Sequence, residues 1–176
     1  TDPVMPQMEN GKVKPIYMAE EYLNLVGRLG CVDDGRGLEL VADPDVVESV
    51  RACLPADRPL VGIAPGAAFG PSKRWPVERF AQVADSLKER AGAHCVVLTG
   101  PEEEDIRQAL LTAARTPLTC CDGGRPTIET LKATISQLDL LICNDSGPRH
   151  VAVAFGVPTV CIMGPTSPRY SQGPYE

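Results

Sequence analysis

Leu60-Val61-Gly62-Ile63-Ala64-Pro65-Gly66-Ala67-Ala68-Phe69-Gly70-Pro71-Ser72-Lys73-Arg74-Trp75-Pro76 joins a short apolar run to a loop of small residues that ends in two cations. Behind Pro76, the residues Val77, Phe80, Ala81, Ala84 and Leu87 share one face of a helix. The same alternation then repeats down the chain. Apolar runs at His94–Leu98, Leu118–Cys121, Leu140–Cys143 and Thr159–Met163 read as further buried strands. Between them lie helical patterns: Ile106, Ala109, Leu110 and Ala113 after Pro101, then Ile128, Leu131, Ile135 and Leu138 behind Thr127 as N-cap. A last helix starts near Pro148 and stops before Gly156 and Pro158. Near-continuous apolar strands need cover on both faces, so the expected fold class is α/β, a doubly wound, Rossmann-like parallel sheet sandwiched by helices. Ahead of it, Ile16–Leu29 reads as a helix, Leu38–Val41 as a short extra strand, and Val46–Leu54 as a helix after the Asp43-Pro44 start signal.

At 176 residues with 43% apolar content, the chain can bury one core. Residues 1–15 read as a polar linker or tail and 16–176 as one domain, with both ends looking cut. No apolar run is long enough to span a bilayer. A formal charge of −6 argues against a broad nucleic-acid footprint, although a local basic cluster can still serve one small anion. The seven cysteines are odd in number, lack metal-type spacing and sit mostly in apolar runs. They read as reduced core thiols, which favours the cytoplasm.

If the strands follow the order 3-2-1-4-5, the first (Leu60–Ala64) and fourth (Leu140–Cys143) are neighbours, and their carboxyl ends flank the crevice where such sheets bind ligands. The loops leaving those two strands are the unusual ones. A helix N-terminus carries about half a positive charge and attracts Asp or Glu into its first turn. The helix after Pro101 follows this rule with Glu102, Glu103 and Glu104, whereas Arg149 and His150 open the helix after Asn144-Asp145-Ser146-Gly147-Pro148, and Lys73 and Arg74 precede the one after Trp75. Such placement is locally unfavourable unless an anion arrives. Backbone amides near Ser146 and Gly147, faced by Lys73, would suit a diphosphate. Glu102 or Glu103, in the Gly100 loop, would accept hydrogen bonds from ribose hydroxyls, and Asp145 from a polyhydroxylated group beside the diphosphate. Gly66, Ala68, Phe69 and Gly100 are the expected donor-contacting positions of the flanking loops.

Each feature taken singly has an ordinary explanation. The glutamates are usually dipole-compensating surface residues, Lys73 and Arg74 a solvated pair, and His150 a structural histidine. Phe69 and Trp75 are usually packing residues, and Asp145-Ser146-Gly147 can be a helix cap. Convergence at one crevice favours the functional reading.

Gly66-Ala67-Ala68-Phe69-Gly70-Pro71-Ser72-Lys73-Arg74-Trp75-Pro76 with Phe80-Ala81, then Asn144-Asp145-Ser146-Gly147-Pro148 with His150, then Gly164-Pro165-Thr166-Ser167-Pro168, resembles glycosyltransferase family nine. That family holds the ADP-heptose:lipopolysaccharide heptosyltransferases, and the first string is most similar to the heptosyltransferase II branch. The resemblance runs from about Tyr22 to the end and implies the C-terminal, donor-binding domain of a GT-B enzyme. It implies that Lys73 contacts the diphosphate, that Ser146 and Gly147 bind phosphate through amides, and that Asp145 contacts heptose hydroxyls with His150 nearby. It also implies Glu103 at the adenosine ribose, Thr127 near the adenine, and Lys73 and Asp145 as the catalytic contributors of this half. Arg149 departs from the pattern, standing where the family often has an apolar residue or methionine.

The implied reaction is inverting transfer of heptose from ADP-heptose to the inner core of a lipid A precursor, with no metal and no other cofactor. The acceptor site and carboxylate base belong to an N-terminal domain outside this sequence, so this stretch alone is expected to be inactive. Membrane contact would be peripheral, at the inner face of the cytoplasmic membrane. Two other readings remain: a related transferase using another nucleotide sugar, and a non-catalytic nucleotide-sugar-binding module. An NAD dehydrogenase half is disfavoured, because the loop after the first strand lacks G-x-G-x-x-G.

Overall fold

The structure is a computed structural model and describes residues 8–14, 16–68, 70–164 and 167–170. The chain divides into two compact units, Thr1–Leu38 with Pro165–Glu176, and Glu39–Gly164. The start expected at position 16 thus falls in the first unit, while the sheet lies wholly in the second.

In the first unit, strands β1 (Met8–Glu9) and β2 (Lys12–Val13) pair antiparallel around Asn10-Gly11. Asn10 and Gly11 have φ of 52° and 74°, the left-handed pair that a tight hairpin turn needs. The stretch expected as a linker therefore holds a hairpin, and its Asn-Gly signal was readable. Helix α1 (Met18–Gly27) lies within the expected Ile16–Leu29 and buries none of its residues.

The second unit opens with α2 (Pro44–Arg51), started by Asp43, whose carboxylate accepts from Asp45 N at 2.9 Å. The expected strand at Leu38–Val41 does not form. Gly37 has a positive φ, Val41 is 79% exposed, and the segment joins no sheet. Then follow β3 (Leu60–Ala64), α3 (Val77–Ala91), β4 (His94–Val97), α4 (Glu104–Ala113), α5 (Ile128–Ile135), β5 (Leu140–Asn144), α6 (Gly147–Ala154) and β6 (Thr159–Ile162). All four strands are parallel, in the order β4-β3-β5-β6.

The expected strand Leu118–Cys121 is reduced to one bridge, Thr119 to Val96. Thr119 donates to Cys95 O at 3.1 Å and accepts from Val97 N at 2.8 Å. Pro117 lies before this bridge, and the turn at Asp122-Gly123-Gly124 follows, where Asp122 accepts from Gly124 N at 2.9 Å and both glycines have positive φ. The bridge nevertheless lies on the edge beyond β4, so the neighbour order expected from the sequence holds.

Strand alternation divides the core in two. Val61, Ile63, Cys95, Val97 and Ile142 pack with Phe80, Ala84 and Leu110 from α3 and α4. Val96, Leu98, Leu141 and Cys143 pack on the other face with Ile135, Leu138, Val151 and Ala152. Gly62 lies on this second face, where a Cβ would collide with the Leu138 side chain. The cysteines form no disulfides. Burial pushes the Cys95 thiol up to about 11 and Cys121 up to about 12, so both stay protonated at neutral pH.

One buried carboxylate ties the first layer together. Asp85 on α3 accepts from Arg115 N and Nε, both at 3.0 Å, and from Thr116 N and Oγ1, both at 2.9 Å. Burial raises its pKa, but these bonds outweigh burial and hold it below the ordinary value. Replacing Asp85 by Ala removes the acceptor of the Arg115 and Thr116 amides and is expected to lower stability at pH 7 by about 2 kcal/mol. Because the folded pKa is the lower one, this contribution is present above the ordinary carboxylate pKa of about 4 and fades as pH falls through the folded value. Denaturant titrations of wild type and D85A should therefore converge in acid. A gap that persists unchanged to pH 2 would disprove the charge-based account.

Candidate functional site

A cleft of about 350 Å³ opens at the carboxyl ends of β3, β4 and β5. Its walls are the loop Gly66–Ala68, the segment Leu98–Pro101 with Glu103, the start of α5 from Pro126 to Leu131, and Ser146–Pro148 at the start of α6. Most of the lining is apolar side chain and backbone, which suits a flat aromatic ring more than a bare ion.

Glu103 supplies the wall's carboxylate. It is the N-cap of α4, and its Oε2 accepts from Gly100 N at 2.7 Å. The same carboxylate lies against Gly66, where a Cβ would overlap it. Gly66 is thus glycine because an acidic side chain from the neighbouring loop occupies the space. Thr127 heads α5 with a reciprocal cap, its hydroxyl accepting from Thr130 N at 3.1 Å while Thr130 Oγ1 accepts from Thr127 N at 3.0 Å.

At the β5 tip three charges meet. Lys73, from the 3₁₀ turn Pro71–Lys73, places Nζ 2.8 Å from Asp145 Oδ2, and Arg149 Nη1 lies 3.2 Å from Asp145 Oδ1. The Asp145 and Arg149 side chains are 6% and 5% exposed, Lys73 19%. Burial raises the Asp145 pKa, yet Lys73 and then Arg149 outweigh it, so the carboxyl is held below its ordinary value. Taken by themselves these three side chains sum to one positive charge, and they stand at the start of α6, where the Ser146 side chain makes no capping bond. Gly147 at its start lines the cleft.

Asn144, fully buried, brings the two basic loops together. Its Nδ2 donates to Pro65 O at 2.7 Å and its Oδ1 accepts from Trp75 N at 3.1 Å. Arg74 turns inward, donating twice to Ala67 O at 3.1 and 3.2 Å. On the far wall, buried Arg107 donates to Thr99 Oγ1 and to Asp122 Oδ2, each at 3.1 Å, linking the loop after β4 to the turn that leads into Pro126 and Thr127.

Of the positions expected from sequence, Gly66, Ala68, Gly100, Glu103, Thr127, Ser146 and Gly147 line one cleft, and Lys73 and Asp145 form the ion pair beside it. Glu102 and His150 are exposed and do not line it. Between the two glutamates offered for the same task, the bond from Gly100 N holds Glu103 inward. Trp75 packs edge-on against Phe80, with ring centres 5.2 Å apart, which is the packing role. Phe69, Pro165 and Thr166 lie outside the described residues.

Sequence reasoning assigned no role to Asn144 or Arg107. Each carried a signal. Asn144 is a polar residue ending an apolar strand, and Arg107 interrupts the buried face of α4 between Ile106 and Leu110.

The model of glycosyltransferase family 9 (heptosyltransferase) matches residues 38–176. The lipooligosaccharide heptosyltransferase 2 of Haemophilus influenzae is 35% identical over 127 residues, 69% of this chain and 36% of that protein. The lipopolysaccharide heptosyltransferase 2 of Escherichia coli is 32% identical over 121 residues, 67% of this chain and 34% of that protein. The chain thus spans about a third of the length of the curated relatives it matches. Among solved structures, a family 9 glycosyl transferase from Veillonella parvula superposes with a TM-score of 0.79 at 32% identity, covering 89% of this chain and 46% of that one. The E. coli ADP-heptose lipopolysaccharide heptosyltransferase II gives 0.66 at 28%, covering 75% and 41%. With its doubly wound sheet and the family match over residues 38–176, the chain belongs to glycosyltransferase family 9.

Proposed function

We propose that the cleft is the donor site of a glycosyltransferase that moves heptose from ADP-heptose to the lipopolysaccharide inner core with inversion. The observation that carries this reading is the joining of two unlike compartments: an apolar cleft with the Glu103 carboxylate in its wall, and beside it the charged group of Lys73, Asp145 and Arg149 at the start of α6. An adenine ring fits the first compartment, with its ribose hydroxyls donating to Glu103. The diphosphate meets Lys73 and the α6 amides, and Asp145 accepts from sugar hydroxyls.

In the transfer step the acceptor oxygen forms a bond to the anomeric carbon as the bond from that carbon to the diphosphate oxygen breaks. The electron pair leaves with ADP, and a carboxylate base takes the acceptor's proton. We assign that base and the lipid A-core acceptor site to the other domain of the whole protein. Charge growing on the leaving diphosphate is stabilised by a preorganised cation and amides, the logic of an oxyanion hole, so the reading invokes no metal. The reaction is placed in the cytoplasm, with peripheral contact to the inner face of the membrane. No helix of the described residues is long and apolar enough to cross a membrane.

Calorimetric titration of the chain with ADP, UDP and GDP tests the donor. ADP is expected to bind at least tenfold more tightly than either competitor. Preferred binding of UDP or GDP would establish a different donor. Donor binding by the whole protein without transfer to any core acceptor would favour a non-catalytic binding module.

A further inference from the structure

Arg107 is a buried cation that does not line the cleft, yet it holds two of the walls that do. It stands near the start of α4, where its backbone amide donates to Glu103 O at 2.9 Å. Its Nε donates to Thr99 Oγ1 and its Nη2 to Asp122 Oδ2, each at 3.1 Å, and its side chain is 6% exposed. Glu104, at 3.3 Å, is 59% exposed, so Thr99 and Asp122 are the partners shielded from water. Thr99 belongs to the wall that follows β4, and Asp122 begins the turn that leads into the wall from Pro126 to Leu131. That turn contains Gly123 and Gly124, with φ of 59° and 77°, and Asp122 Oδ1 closes it by accepting from Gly124 N at 2.9 Å. One oxygen of Asp122 therefore shapes the turn while the other ties it to α4. Between Thr99, Asp122, Pro126 and Thr127 the remaining space is about 20 Å³, room for little more than one water.

We infer that Arg107 is a positioning residue for base recognition: by binding Thr99 and the Asp122 turn to one guanidinium, it fixes the separation of two walls of the cleft and so the size of ring the cleft accepts. The inference rests on the proposed donor site and deepens it. A guanidinium is planar and rigid, so two acceptors bonded to it are held at a set spacing. The turn it holds contains two adjacent glycines, which have the most backbone freedom to lose on ordering. Without the tie, the wall that follows the turn would sample wider positions. A ligand that fits only the narrow arrangement then loses affinity in proportion to the time the cleft spends elsewhere. Guanine carries one more exocyclic group than adenine and is the base a narrow cleft turns away. Widening the cleft therefore penalises adenine more than guanine, and selectivity falls with affinity.

The experiment measures the affinity of the chain for ADP and GDP by calorimetric competition, with a thermal melt of each sample. Wild type is expected to prefer ADP by at least about tenfold. Arg107→Met keeps an apolar side chain of similar length but cuts both bonds; it should weaken ADP about tenfold and GDP less than about threefold, so that most of the preference is lost. A chain that is merely less folded would lose both nucleotides by the same factor. Asp122→Asn, at a position that does not line the cleft, removes the carboxylate from Arg107 while leaving an amide oxygen for Gly124 N, and should shift the preference in the same direction. It also keeps the test open should R107M fail to fold. Because both substitutions cut one tie, the double variant R107M/D122N should show the same preference as R107M alone. An unchanged ADP preference in R107M or D122N, equal loss of ADP and GDP, or additive losses in the double variant would each overturn the inference while leaving the donor site standing. A wild-type chain that binds ADP no better than GDP would remove both together.

Discussion

Replacing Lys73 by alanine in the whole protein is expected to lower heptosyl transfer about 100- to 1,000-fold, the range seen when one preorganised charge stabiliser is removed. The loss should fall mainly on kcat. In the proposed donor site Lys73 would face a diphosphate in the ground state, and negative charge would grow there as the anomeric bond breaks, so its contribution would be larger in the transition state. The fold should survive. Asp145 keeps Arg149 at 3.2 Å when Lys73 is cut back, and Lys73 is the most exposed of the three. Steady-state kinetics with a thermal melt of the same sample separates the two effects. Wild-type turnover by a folded K73A protein would remove the lysine from the mechanism.

The second large effect is one of stability. Asp145→Ala leaves Lys73 and Arg149, which are 19% and 5% exposed, facing each other without the shared counter-ion. Breaking a buried pair from one side costs about 3–5 kcal/mol, because the remaining charges cannot be resolvated. For a chain of this size that corresponds to a fall in Tm of roughly 10 °C. Cutting back Arg149 as well should restore part of it, since the repulsion then disappears. A D145A melt within about 2 °C of wild type would show that water already solvates this group, contrary to its burial.

The sequence disclosed the fold class because hydrophobic periodicity is a local property. Apolar runs of four or five residues separated by amphipathic helices can be buried in few ways, and the observed neighbour order follows. It erred where pairing depends on a partner. Leu38–Val41 has strand composition but no sheet edge to join, and Leu118–Cys121 turns away at Asp122-Gly123-Gly124 after a single bridge. The hairpin at Asn10-Gly11 lies in a polar stretch whose composition suggests a linker, and its only local signal is the turn pair itself.

The candidate site was legible in its parts. Small residues after one strand and Asp145-Ser146-Gly147 after another marked the two loops, and cations at helix starts pointed to the same end of the sheet. Composition could not say which of Glu102 and Glu103 faces inward. That follows from the folded loop, in which Gly100 N donates to the Glu103 carboxylate and the missing Cβ of Gly66 leaves it room.

By itself, then, the sequence determined the layered architecture and the end of the sheet at which the cleft opens, because both follow from the order of strand and helix. The tertiary structure alone decided the electrostatics: that Arg74 turns to a carbonyl, that Asn144 joins two loops, and that Lys73 and Arg149 share Asp145. Those outcomes depend on distances of about 3 Å between residues up to 79 positions apart, and a one-dimensional pattern holds no information on which side chains meet when the chain closes on itself.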